Sequence, residues 1–218
     1  MLEWQETFYG LYPVSKNKLY KIVGPFILGI ELIKIPGIKA YKPYFDIYPL
    51  YDTAVKNCLN RSLFLIEFRN DRDRPFEIRY DDKFGQMQLA QESVKNTLTF
   101  NLNEPFVAYG SFIELIDYYL YKYDHGMFKS HSGNRANMLE IKFYASLYAF
   151  KNPETILKEI AGDQKSWDMV TFNNWHGDYE TWLNNLQENL NQPALFFNVI
   201  NKNKIDKSIN KIPVAELL

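Results

Sequence analysis

Cysteine is nearly absent: Cys58 is the only one. No internal disulfide can form, so nothing ties the chain to an oxidising compartment. A zinc site built on two or more thiolates is excluded as well. Long apolar runs are also missing. The longest uncharged apolar stretch, Ile22 to Ile30, is broken by Gly24, Pro25 and Gly29. It falls far short of the roughly 18 residues a membrane helix needs. Met1-Leu2-Glu3-Trp4-Gln5-Glu6 offers neither a basic nor an apolar start and does not read as a secretory signal. A cytoplasmic protein with no membrane association is expected.

An excess of one charge is lacking too. There are 25 Lys+Arg against 26 Asp+Glu, a net charge of -1. Proteins that work by neutralising nucleic-acid phosphates carry a basic excess, so nucleic acid is not expected as the partner. The sequence contains no G-x-x-x-x-G-K-[ST], G-x-G-x-x-G, H-E-x-x-H or G-x-S-x-G. The P-loop, dinucleotide-binding, zincin and nucleophile-elbow readings therefore lose their support, and no cofactor is expected.

Aromatic residues are plentiful, with 16 Tyr, 16 Phe and 4 Trp among 218 residues. A chain this long buries roughly 70% of its unfolded surface without disulfides or metals. The texture changes near residue 84. Lys18–Val23, Phe26–Ile35 and Ile38–Tyr51 are rich in β-branched and aromatic residues, with Gly24-Pro25 and Pro36-Gly37 as turns. Pro43 and Pro49 suggest that the third segment is an edge or interrupted strand. Ser62–Arg69 and Phe76–Tyr80 read as a strand pair around a charged turn. That turn, Arg69 to Arg74, is either solvated or a docking tip.

Beyond residue 84 the period becomes helical. Phe112, Leu115, Ile116, Tyr119, Leu120 and Tyr123 form one stripe, with Ser111 and Glu114 spaced as a capping box. Helices are also expected at about 136–150, from Asn152-Pro153 to Gly162, from an Asp178 cap onward, from Pro193 through Ile200, and over Gln86–Leu98. The expected fold is α+β: an N-terminal antiparallel sheet of four to five strands, followed by a mainly helical C-terminal half packed on it. One domain is expected, with a sheet-rich part at 1–83, a helix-rich part at 84–200, and a marginally helical or mobile tail at 201–218.

Three constellations bear on chemistry. His125, His131 and His176 are candidate metal ligands, but no regular spacing joins them. Glu140-Ile141-Lys142 forms an E-x-K triplet that, on a strand beside Asp124, would match a metal-dependent hydrolase or nuclease. The surrounding helical period opposes this, because residues i and i+2 diverge on a helix. Lys129, Ser130 and Arg135 precede a helix and are candidate anion ligands.

Residues 151–190 carry 3 basic and 7 acidic side chains and three of the four tryptophans. Trp167, Asp168, Trp175, Asp178 and Glu180 are the candidate partner-binding residues, since aromatic anchors and rim charges mark interfaces. The reading that follows is a non-catalytic binding module for a protein partner of basic character, in the manner of an antitoxin or immunity protein. The alternative is a metal-dependent hydrolase or nuclease using Asp124, Glu140 and Lys142 or the histidines.

Overall fold

A computed structural model describes residues 1–82, 85–125 and 132–218, with the side chains of 123–125 and 132 left out of account. The chain opens with helix α1 (Leu2–Thr7), then runs through strands β1 (Tyr12–Ser15), β2 (Lys18–Val23), β3 (Phe26–Lys34) and β4 (Ala40–Pro49). A 3₁₀ turn at Val55–Leu59 leads to β5 (Phe64–Glu67) and β6 (Ile78–Arg79). Helix α2 (Gln86–Thr97) and the short β7 (Phe106–Val107) precede α3 (Tyr109–His125) and α4 (Ser132–Tyr148). Helices α5 (Pro153–Asp163), α6 (Met169–His176), α7 (Tyr179–Asn191) and α8 (Pro193–Lys204) follow, and β8 (Val214–Leu217) ends the chain. No helix among the described residues is long and apolar enough to cross a membrane.

The fold is α+β, with an N-terminal antiparallel sheet and a helical C-terminal half. The sheet order is β5-β4-β3-β2-β8-β7, with β1 joined to β2 and β6 to β4. Gly24 has φ +54° and makes the β2–β3 turn, a conformation that costs glycine little. Alternation sends Phe26, Leu28, Ile30, Phe45, Ile47 and Phe64 to one face. That face packs on α3, with Phe26 against Phe112 (5.4 Å between ring centroids) and Phe64 against Tyr119 (5.2 Å). The opposite face carries Lys18, Tyr20, Glu31, Asp46 and Tyr48.

Gly29 lies between Tyr20 and Asp46 on the adjacent strands. A Cβ there would come within 2.0 Å of the Leu19 carbonyl oxygen, so the two backbones can approach only because the residue is glycine.

Several expectations are corrected. Of the two readings of the third segment, the edge is wrong: β4 is an interior strand, and it is its outer pairing that is interrupted. It tolerates Pro43 because its outer partners divide: β6 pairs with Ala40 and Tyr41, and β5 begins at Tyr44. Pro43 falls in the gap, and Pro49 ends the strand. The segments Ser62–Arg69 and Phe76–Tyr80 do not form a regular hairpin. Both pair with β4, and only an isolated Arg69–Pro75 bridge joins them. Helix α3 starts before Ser111, because the Phe112 amide already bonds to the Ala108 carbonyl. Ser111 is thus inside the helix and not its cap. The tail is ordered: β8 inserts parallel between β2 and β7, and Ile209 and Ile212 are buried. Residues 201–204 continue α8, and beyond them Ile209 and Ile212 anchor a turn-rich segment, while Ile205 is exposed.

Candidate functional site

Helix α4 is the centre of the helical layer. Every residue from Ala136 to Leu147 is buried. A helix enclosed on all sides must satisfy any charge it carries internally. The buried stretch 136–147 carries two, Glu140 and Lys142, and they face different neighbours. The Lys142 ammonium lies 2.9 Å from Asp117 Oδ1 on α3 and 3.0 Å from Glu159 Oε2 on α5. Burial opposes its charge, but the bonds to Asp117 and Glu159 prevail and raise its pKa.

Glu140 faces the other way. Its Oε1 accepts from the Tyr51 hydroxyl at 2.8 Å, and its Oε2 accepts from the Trp182 indole N–H at 2.8 Å. Oε2 also lies 3.9 Å from His176 Nδ1. The His176 ring stacks on Phe172 (4.8 Å) and meets Trp182 edge-on (5.6 Å). Its Nε2 is 3.2 Å from the Gly133 carbonyl oxygen. A carbonyl can only accept, so Nε2 carries the proton and donates. In the neutral ring Nδ1 then presents a lone pair. It has no hydrogen-bond partner among the described residues, although the side chain is only 1% exposed. Burial holds the imidazole below its usual pKa, with the Glu140 charge acting against that. Two acceptors therefore face each other.

These groups form the floor of a cavity of about 500 Å³. Its aromatic wall is continuous: Tyr51 packs on Tyr144 (3.8 Å), and Tyr144 stacks on Phe196 (5.2 Å). Burial raises the pKa of both tyrosines, so both keep their hydroxyl protons. Asp52 and Arg61, 3.5 Å apart, line one side, and the exposed Asn185 and Glu188 of α7 line the other.

The candidates from sequence are dispersed. Glu140 and Lys142 lie on a helix and diverge, so they do not form the one-sided pair that the nuclease-type metal site requires. The side chains of Asp124 and His125, and all of Lys129, Ser130 and His131, lie outside the described residues. Among the described residues, no group of three or more His, Cys, Asp or Glu is placed to hold a metal. Of the histidines, only His176 is placed, and it joins the cavity. Arg135 pairs with Asp163 through both its Nε and its Nη2 rather than pointing into an open anion site.

The partner-binding candidates separate into two kinds. Trp167 is buried and donates its indole N–H to Asp163 at 2.8 Å, so it belongs to the packing between helices. Asp168 and Asp178 are exposed and cap α6 and α7, accepting from the backbone amides of Val170 and Thr181. Asp168 also accepts from the Thr171 hydroxyl and amide, and the bonds from Thr171 and from Thr181 hold the two carboxyls below the ordinary range. Trp175 is different. It is 64% exposed and lies over Gly133, where a Cβ would come within 2.9 Å of its ring. Glu180 is also exposed.

Sequence reasoning missed Tyr51, Tyr144 and Arg61. A usable signal for Glu140 was the apolar company on every side: Met138, Leu139, Ile141 and Phe143 cannot all share one face. Residues 166–201 also contain no Lys or Arg but hold Asp168, Asp178, Glu180 and Glu188, a feature averaged out over the wider window. Comparison with protein-family models, curated proteins and solved structures returned no match.

Proposed function

We propose that this chain is a non-catalytic cytoplasmic binding protein that docks a basic protein through the exposed face of α6 and α7. The observation that carries this is Trp175. A tryptophan left 64% exposed, on a helix whose Phe172 is fully buried, is a ready interface anchor. It stands in a stretch with four carboxylates and no cation, so the field around it attracts positive charge. Two other acids of the region, Glu159 and Asp163, are already committed to Lys142 and Arg135. A protein that masks a basic toxin would carry such a surface. The single buried Cys58 fits a reducing compartment.

The test is a low-salt pull-down from the source cells with three baits: the native chain, Trp175→Ser, and Asp178→Asn with Glu180→Gln. The expected result is one identifiable basic protein held by the native chain and lost from both variants and at high salt. Equal retention by all three baits, or retention of acidic proteins, would sink the proposal.

A further inference from the structure

The cavity beneath Glu140 supports an inference that does not depend on the docking face. The geometry points to a binding site for a primary alkylammonium group, seated between Glu140 Oε2 and His176 Nδ1. Two acceptors face each other at this point. They are 3.9 Å apart, both buried, and Nδ1 has no partner among the described residues. Left alone, two facing lone pairs repel, and an unfilled buried acceptor costs stability. A donor with several N–H bonds on one atom, placed between them, satisfies both at once.

The rest of the cavity selects among donors. Its lining holds Glu140, Asp52 and Glu188 against the single guanidinium of Arg61, so a cation is favoured over an anion. The wall of Tyr51, Tyr144 and Phe196 supplies ring faces along which an alkyl chain can lie and toward which a cation is drawn. A guanidinium prefers a carboxylate with both oxygens open to its fork. Here Oε1 is taken by Tyr51 and Oε2 already accepts from Trp182. An ammonium needs only a point contact and can share Oε2 with Nδ1. A volume of about 500 Å³ lies within the range of small-ligand sites. The ligand is therefore an amine on a slender chain, either a free alkylamine or the lysine side chain of a polypeptide.

The test uses the purified full chain and calorimetric titration. The probes are n-butylamine, N-acetyl-lysine methylamide, n-butanol, ethylguanidinium and tetramethylammonium. Saturable binding of butylamine or the lysine amide is expected, with none for butanol. Ethylguanidinium and tetramethylammonium should bind at least about tenfold more weakly, having lost the point contact or the N–H donors. Tighter binding of the lysine amide identifies a polypeptide lysine as the source, and tighter binding of butylamine identifies a free amine. Glu140→Gln should weaken binding by at least about tenfold. Because that variant alters a buried network, Asn185→Trp serves as a second probe. It lies on the exposed surface of α7 and should block the mouth while leaving the circular dichroism and melting curve intact. No saturable binding of either amine would overturn the inference. So would full binding retained in a folded Asn185→Trp, or tetramethylammonium bound as tightly as butylamine.

Discussion

The indole N–H of Trp182 on α7 donates to Glu140 Oε2 on α4 across 2.8 Å, and both side chains are buried. This bond joins the acidic outer helices to the central one. It also fixes which way the Glu140 carboxylate points, and so sets the floor of the cavity. Trp182→Phe keeps most of the ring volume and removes the donor. The carboxylate then has one fewer bond in a buried site, which should cost about 2 kcal/mol. Urea unfolding checks this. A loss below about 0.5 kcal/mol would mean that the carboxylate is solvated without the indole.

The polar face of the sheet predicts a pH dependence. Asp46 is buried beside Glu31, and burial, reinforced by Glu31, pushes its pKa up to about 7, while bonds from Ser62 and Tyr48 pull the other way. The folded value lies above the unfolded one, so folding favours the protonated acid. The stabilisation is complete below the ordinary carboxylate range and is lost as pH rises through about 7. This group alone should lower stability by about 1.4 kcal/mol per pH unit across that window. Asp46→Asn should flatten the dependence. Denaturant midpoints at mildly acidic and mildly basic pH decide it, and an unchanged slope in the variant would show that another group titrates.

Gly29 offers a steric prediction. Alanine there would drive its Cβ into the Leu19 carbonyl, so β2 and β3 would have to separate. Gly29→Ala should cost about 3 kcal/mol or more. Gly37, with open space around it, is a control for backbone strain alone, and Gly37→Ala should cost about 1 kcal/mol. Thermal unfolding of the two variants provides the comparison. Equal losses would contradict the close strand approach.

Asp178 serves two roles that substitution can separate. As the cap of α7 it accepts from the Thr181 amide at 2.9 Å, and as an exposed carboxylate it adds to the acidic face. Asp178→Asn keeps a capping oxygen and removes the charge. Asp178→Ala removes both and should cost about 1 kcal/mol, against a few tenths for asparagine. Both should weaken docking of a basic partner to a similar extent. Melting curves measured alongside affinities distinguish the roles. If only the alanine variant loses affinity, the charge is not what the partner reads.

The repetitive elements were legible in the sequence because their signals are local. The apolar stripe from Phe112 to Leu120, Pro193 at the start of α8 and Asp178 at the cap of α7 all lie where pattern and capping chemistry put them. Long-range pairing left no such trace. β7 and β8 are two and four residues long and meet across more than a hundred positions of chain, so neither carries a period of its own. Helix α6 was hidden because its Asp168 cap lies within an aromatic run that resembles a surface. The site was partly legible. His176 and Glu140 were singled out, but for metal chemistry and in different constellations. Their convergence depends on α6 crossing α4, which no spacing encodes. Trp167 and Trp175 sit in the same acidic run of the sequence, yet one is buried, with its indole bonded to Asp163, and the other is left open.

Docking through α6 and α7 can be read by hydrogen–deuterium exchange of the chain with its captured basic partner. Protection should concentrate on residues 169–184, around Trp175 and the start of α7, and fade as salt is raised. Protection confined to the Arg69–Arg74 turn or the β5 edge, with α6 and α7 unchanged, would contradict it.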